Sequence, residues 1–469
     1  MNRLIQFSKT GLKNLQMDET VNTVTSVLWI PTKALSATKF AGHKPVIQNR
    51  SRGDSFEPES GLGSTINTPE ANRQREVTAE SDELGPEFNM EHYDDEDSND
   101  QTHLFSVVDA DMELAQMKDE YMNDEVSDSE DEDYYDIKEN DVLFVAANVE
   151  EDACTVEVYL HDTVDGGMYV HHDFLISSYP LALEYIPSMA SDQSLLAIGA
   201  MDPKIDIWDL KVHDPIEPIT QLGKKRGHSK AVISLHLCPQ NPTVLASGSA
   251  DATVRLWDIN KEVSVSSLTH HKADVQCVKW HPFEAGILMT AGYDKRVVIT
   301  DQRGSATSSA ALVLANDPEC TLWSRHTPTM VLVSDEEGFL AGYDMRKVGE
   351  PVWRIKAHHK GACTSFTDTA EHPDLLITGG TDGVANIWKS PRGASQPELV
   401  LSRDLKAGPL FSVSSHNVDP ALAVFGASCP VLWNITDSDV VCKVFPTLPG
   451  ADQPNLPEMP QDDSEDLDD

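Results

Sequence analysis

Two histidines of this chain are followed, at the same spacing, by a hydroxyl residue and an aspartate. His228 precedes Ser247 and Asp251, and Trp257 comes six residues later. His271 precedes Thr290 and Asp294 in the same rhythm, with Thr300 where a tryptophan would stand. A third set reads His358 or His359, Thr378, Asp382 and Trp388. Serine, histidine and aspartate together are the ingredients of hydrolytic nucleophilic catalysis. Recurrence argues otherwise: one active site needs one such set, and here the set returns unit after unit. A repeated hydrogen-bonded chain inside a repeated fold is the stronger reading, since buried polar groups must find partners.

Other chemistry is thinner. His171, His172 and Asp173 in YVHHDF have the types of metal ligands. Neighbours on a strand point to opposite faces, so the two histidines are not expected to share an ion. No GxGxxG, Walker loop or GxSxG occurs, and no carboxylate pair stands out among 77 acids. Catalytic, cofactor-binding and metal residues are therefore expected to be none. Lys224, Lys225 and Arg226 form a small basic knot that suits RNA contact or import. Ser127 and Ser129, in VSDSEDED, have the acids at +1 and +3 that suit an acid-directed kinase. A plain acidic linker explains the same stretch.

The elements that must position these residues repeat. Short β-branched runs end near Tyr159, Trp208, Trp257, Thr300, Tyr343, Trp388 and Trp433. The successive gaps are 49, 49, 43, 43, 45 and 45 residues. Asp follows at Asp209, Asp258, Asp301 and Asp344. Such a period with a Trp-Asp ending marks a WD-repeat propeller. The third unit reads as strands over 231–237, 244–249 and 253–258, with Asp251 in the turn, and the fourth and sixth units copy it. The fold class expected is all-β: a seven-bladed WD40 β-propeller.

The first unit lacks an inner strand just upstream. VTSVLW (24–29) copies the pattern of DVQCVKW (274–280) and is the best candidate. The organisation expected is an N-terminal extension over 1–23, a first-blade strand over 24–30, a long acidic insertion over 31–140, a propeller over 141–446 and an acidic C-terminal tail over 447–469. The insertion carries too little apolar material to offset ordering entropy, so it is expected to be largely disordered, as is the tail. EFNMEHYDDED (87–97) and the apolar-spaced 107–122 stretch could dock. DVVCKVF (439–445) is expected to be the outer strand of the seventh blade, and how the ring closes stays open.

Charge is concentrated. The net charge is −41, of which residues 51–140 supply −24 and residues 451–469 supply −8. Such a surface repels naked nucleic acid, which needs clustered Lys and Arg. It suits basic proteins such as ribosomal proteins or histones, or it serves only to keep the chain soluble. Seven cysteines without a CxxC pair argue against a disulfide framework and a zinc site. Cys238, Cys277, Cys320 and Cys363 read as small core residues of inner strands. The first residues hold no apolar core of a secretory signal. The longest weakly charged stretch, 408–436, is broken by Pro409, Asp419, Pro420 and Pro430, so no membrane span is expected. Asp301-Gln302-Arg303 and Asp344-Met345-Arg346 end two successive units and resemble the box by which some WD proteins dock on cullin–RING ubiquitin ligases.

Longer strings are more specific. YVHHDFLISSYPLALEY (169–185), WHPFEAGILMTAGYDKRVVITDQR (280–303), DEEGFLAGYDMR (335–346), SRDLKAGPLF (402–411) and EDYYDIKENDVLFVAANVEED (132–152) resemble the periodic tryptophan protein 1 family of WD-repeat proteins. EFNMEHYDDED resembles an element within that family's insertion. The resemblance spans roughly 24–30 and 87–445. It implies a non-enzymatic nuclear and nucleolar scaffold in ribosome biogenesis, acting in large-subunit pre-rRNA processing and assembly. The implied partners are pre-ribosomal assembly factors and basic proteins, with RNA contact at most indirect and no small-molecule substrate. A chromatin- or histone-binding regulator of ribosomal RNA genes is the alternative, and a cullin–RING substrate receptor is a third. Two departures stand out. About twenty residues precede the first strand, where the family tends to begin almost at once. The family's lysine-rich loop is reduced to GKKRG (223–227), which weakens any RNA contact carried over for it.

Overall fold

Short β-branched runs punctuated by Gly and Asp become strands that turn sharply at their ends; most second strands of the repeats bury nearly every side chain, as a strand covered on both faces must. A computed structural model describes residues 22–31, 35, 137–138, 140–150, 153–187, 193–212, 215–304, 308–347, 349–369, 371–390 and 395–450. These residues form seven antiparallel sheets, the blades of a propeller. The expected insertion and the tail beyond residue 450 lie almost wholly outside the described residues, as do Ser127 and Ser129.

Blade 1 contains β1 (Thr23–Ile30), β2 (Asp141–Val149), β3 (Cys154–Asp162) and β4 (Met168–Ile176), paired in that order. β1 pairs antiparallel with β2 across the insertion, from Thr23 opposite Val149 to Ile30 opposite Leu143. Blade 2 contains β5 (Pro180–Pro187), β6 (Ser194–Ala200), β7 (Ile205–Asp209) and β8 (Thr220–Leu222). Blade 3 contains β9 (Val232–Leu237), β10 (Val244–Ser249), β11 (Val254–Asp258) and β12 (Val263–Leu268). Blade 4 contains β13 (Val275–Trp280), β14 (Ile287–Gly292), β15 (Arg296–Asp301) and β16 (Ser308–Val313). Blade 5 contains β17 (Pro318–Trp323), β18 (Met330–Asp335), β19 (Phe339–Asp344) and β20 (Trp353–Lys356). Blade 6 contains β21 (Cys363–Asp368), β22 (Leu375–Gly380), β23 (Val384–Lys389) and β24 (Glu398–Asp404). Blade 7 has three strands: β25 (Ser412–Ser415), β26 (Leu422–Gly426) and β27 (Pro430–Asn434). Each of the seven repeat-end residues lies on the third strand of its blade, although Tyr159 sits three residues short of the end of β3.

Inner strands pack one against the next around the ring, and β25 packs back on β1. Trp29 reaches across that closure to donate its indole N–H to the Ser414 carbonyl at 3.0 Å, and the Val24 amide donates to the Ala427 carbonyl at 2.6 Å. Val24, Val27, Trp29, Phe144, Leu422 and Val424 form one buried cluster there. Each such side chain contributes on the order of 1.5–3 kcal/mol by leaving water. Gly426 is obligatory at this seam: a Cβ would meet the Ser412 hydroxyl and lie 2.9 Å from the Val24 carbonyl oxygen.

One expected strand is a helix. Residues Asp439–Val444 form α1, following a 3-10 turn at Ile435–Asp437. Val440, Val441 and Val444 read as β-branched, but Val441, Phe445 and Leu448 are more fully buried by packing into the cluster around Trp433 and Ile435. Tertiary burial overrides propensity. No helix among the described residues is long and apolar enough to cross a membrane.

Candidate interaction site

Blade 3 assembles its four residues into one buried chain. The Trp257 indole N–H donates to Ser247 Oγ at 2.8 Å, and Ser247 Oγ lies 2.7 Å from His228 Nε2. His228 Nδ1 lies 3.1 Å from Asp251 Oδ2, whose carboxylate also accepts from the Ser229 amide and the Thr253 hydroxyl. Burial lowers the His228 pKa, with Asp251 working the other way, so the ring is neutral at neutral pH. The proton order follows: indole to serine, serine to Nε2, Nδ1–H to carboxylate. Burial alone would raise the Asp251 carboxyl. Hydrogen bonds from Thr253 and Ser229, with His228 facing the carboxylate, outweigh it and hold the pKa at about 2. The serine is 0% exposed and its hydroxyl is engaged on both sides. It braces β10 against β11 and the loop before β9; no substrate carbonyl reaches it.

Blade 6 repeats the arrangement with His358, not the exposed His359. His358 Nδ1 is 2.9 Å from Asp382, His358 Nε2 is 3.0 Å from Thr378 Oγ1, and the Trp388 indole donates to that hydroxyl at 3.1 Å. Blade 4 departs from it. His271 spans Asp294 and Thr290 at 2.9 Å each, but Thr300 donates to the Leu288 carbonyl instead. His270, which the sequence reading passed over, places Nε2 2.8 Å from the same Thr290 hydroxyl, where the other blades place an indole. Burial first, then His271, lowers its pKa to about 4. In blades 2 and 7 the indole N–H groups of Trp208 and Trp433 are buried without a hydrogen-bond partner.

His171 and His172 do not alternate between opposite faces of the strand as expected. β4 carries a bulge opposite Val158 and Tyr159: His172 pairs with Val158, Val170 pairs with Tyr159, and His171 is the extra residue. A bulge breaks the alternation of side chains. Both rings are buried, with their Nδ1 atoms 2.8 Å apart. Asp173 is exposed, and no group of three metal-ligating side chains occurs among the described residues. Arg303 and Arg346 each fold back on the aspartate two residues before, Arg303 on Asp301 at 2.6 and 2.9 Å and Arg346 on Asp344 at 2.7 and 3.0 Å. Lys224, Lys225 and Arg226 are exposed in a turn.

A feature invisible in the sequence lies where the loops entering the inner strands meet the turns between second and third strands. In blades 4 and 5, Asp274, Asp317 and Glu336 from these loops and Glu319 at the start of β17 act together on Tyr293. The Tyr293 amide donates to the Asp274 carbonyl, and the Glu336 amide donates to the Asp317 carbonyl. Burial, then Glu336, Asp317 and Asp335, pushes the Glu319 pKa up to about 8. Glu319 Oε1 and Asp317 Oδ1 are buried without hydrogen-bond partners. Deeper along the inner strands, Glu184 accepts from the Leu237 amide at 2.7 Å; burial raises its pKa to about 7 against the pull of Lys279. Glu184 thereby ties blade 2 to blade 3 and faces a charge from blade 4. Four carboxylates among 77 acids give no sequence signal; only the fold brings them together.

Similarity to known proteins agrees with this architecture. The WD domain, G-beta repeat family matches residues 219–258 and 262–301, each running from the fourth strand of one blade through the first three strands of the next, β8 to β11 and β12 to β15. The periodic tryptophan protein 1 homolog of Drosophila melanogaster is 31% identical over 391 residues, 79% of this chain and 82% of that protein. An uncharacterized WD repeat-containing protein of Schizosaccharomyces pombe is 28% identical, over 85% of this chain and 81% of its own length. Periodic tryptophan protein 1 of Saccharomyces cerevisiae is 27% identical over 473 residues, 83% and 81% of the two chains. The chain belongs to the periodic tryptophan protein 1 family of WD-repeat proteins.

Proposed function

We propose that this protein is a non-enzymatic scaffold in the nucleolus, where it supports large-subunit pre-rRNA processing and assembly by binding assembly factors and basic proteins. Membership of the periodic tryptophan protein 1 family carries this reading. Two observations add support. The residues with catalytic types are consumed as braces between strands in blades 3, 4 and 6. The −24 carried by residues 51–140 complements a basic protein better than a nucleic acid. Phosphorylation at Ser127 and Ser129 would deepen that charge.

Purification of the tagged protein from nuclear extract, with mass spectrometry of proteins and sequencing of RNA, tests the reading. Large-subunit precursors with their assembly factors are the expected recovery. Histones and ribosomal gene chromatin without precursors would replace the scaffold reading by a chromatin regulator that holds histones. Cullin adaptors, lost on changing Arg303 and Arg346, would replace it by a ubiquitin-ligase receptor.

A further inference from the structure

One position recurs on four successive inner strands. Ser234, Cys277, Cys320 and Ser365 each stand just past the irregularity in their strand's register, opposite Gly248, Ala291, Ser334 and Gly379. A side chain there reaches across to the next blade. Ser234 Oγ accepts from the Val278 amide at 3.1 Å, and Ser365 Oγ accepts from the Val413 amide at 3.2 Å. Blades 4 and 5, which are neighbours, hold a thiol at this position instead of a hydroxyl. Cys277 Sγ accordingly lies 3.6 Å from the Thr321 carbonyl oxygen on β17, one residue past Cys320. The Cys277 and Cys320 thiols are themselves in hydrogen-bond contact.

Two thiols on adjacent strands can do what two hydroxyls cannot. A disulfide needs side chains that converge across a short gap, and this pair converges. Both are free thiols. Their shared hydrogen bond lowers the Cys277 pKa and raises that of Cys320, so one sulfur is readier to act as nucleophile while the other keeps its proton. Burial opposes the lowering at Cys277, and Lys279 supports it. Cys277 is 6% exposed, but Cys320 is only half-buried, which opens the pair to an oxidant of water's size. Two other cysteines near inner strands are engaged elsewhere. Cys363 lies before the bulge of β21, buried and hydrogen-bonded to Ser334, and the Cys238 thiol donates to Gln240.

We propose that Cys277 and Cys320 are a reversible redox pair whose disulfide staples the inner strands of blades 4 and 5. With hydrogen peroxide as the oxidant, the Cys277 thiolate attacks one oxygen, the O–O bond breaks, and its electron pair leaves with hydroxide. That hydroxide takes up the proton that Cys277 had released. The Cys320 sulfur then attacks the sulfenic acid on Cys277: the S–S bond forms, the S–O bond breaks, and the oxygen departs as water with the Cys320 proton. Two thiols and one peroxide thus give one disulfide and two waters. An external dithiol reverses the reaction by exchange. Glu319 immediately precedes Cys320 and Asp274 stands three residues before Cys277, so the oxidised ring holds the acidic loops of blades 4 and 5 at one spacing.

Peptide mapping of the folded full chain tests this. The chain is treated with hydrogen peroxide, unfolded, alkylated, cut with trypsin and analysed by mass spectrometry. The expected product joins residues 273–279 to residues 304–325 and disappears on treatment with dithiothreitol, and five of the seven cysteines are alkylated. Cys277→Ser and Cys320→Ser each introduce the residue that blades 3 and 6 carry at this position, and each is expected to lose the linked peptide. Cys277 and Cys320 both alkylated after a treatment that converts free cysteine fully to cystine would overturn the proposal. Sulfinic acid at either position, or a link from either one to Cys363 or to a second copy of the chain, would overturn it as well.

Discussion

Blades 3 and 7 solve the same problem by different means. Both end their third strand on a buried tryptophan, Trp257 or Trp433. In blade 3 the indole starts a four-membered hydrogen-bonded chain that reaches the loop before the inner strand. In blade 7 the indole N–H has no partner, the outer strand is missing from the described residues, and α1 and residues Phe445 and Leu448 pack over the cluster instead. One blade is braced from within by polar contacts, and the other leans on its neighbours by apolar contact. The repeat therefore preserves a place for tryptophan more faithfully than the reason for it.

The largest break in that contrast is expected from Asp251→Ala. It leaves the His228 Nδ1–H and the Ser229 amide without their acceptor, and loss of one partner from a buried hydrogen-bonded pair costs about 3–4 kcal/mol. Thermal or denaturant unfolding checks this. Trp257→Phe against Trp433→Phe sharpens it. The first orphans the Ser247 side of the chain and costs about 1–2 kcal/mol beyond the change in packing, whereas the second removes an N–H that has no partner and lacks that extra cost.

A pH series separates the braces from the acidic loops. The Asp251 pKa is depressed to about 2, so its contribution is present above the ordinary carboxylate value near 4 and is lost as pH falls towards 2. His228 is also depressed, from a value near 6.5, so its share is lost as pH falls below about 6.5. Glu319 runs the other way. Its pKa is raised to about 8, so its share is present below about 4.5 and is lost as pH rises through 8. Glu319→Gln is therefore expected to raise the melting temperature by a few degrees at pH 9 relative to the unmodified chain, with little change at pH 5. The smallest effect is expected from Arg303→Ala and Arg346→Ala. Both side chains are well exposed, so no measurable change in melting temperature should follow.

Much of the fold is legible because a propeller repeats. The phase of Trp208, Trp257, Trp388 and Trp433 sets the blades. The likeness of VTSVLW to DVQCVKW points across more than a hundred residues to β1, which the structure pairs with β2. The His228 set is legible for the same reason: polar residues that must share one buried chain keep fixed distances. Three features were not legible, each for a physical reason. Residues 439–445 look like a strand because local β-branching says nothing of the cluster that buries Val441 as a helix. The two histidines of YVHHDF meet because a one-residue bulge rotates the side chains, and no residue type in the strand marks it. The acidic loops converge only through the ring, which brings Asp274 of one blade near Glu319 of the next.

The most direct test of the central claim is a rescue. Cells depleted of the protein are supplied with Ser247→Ala, held below its melting temperature, and unprocessed large-subunit rRNA is measured. If the Ser247–His228–Asp251 chain is a brace within a binding platform, the folded variant restores processing to the level of the unmodified chain. A variant that folds and keeps its bound partners but leaves precursor rRNA to accumulate would contradict that claim, because the hydroxyl would then have a chemical task that a brace does not have.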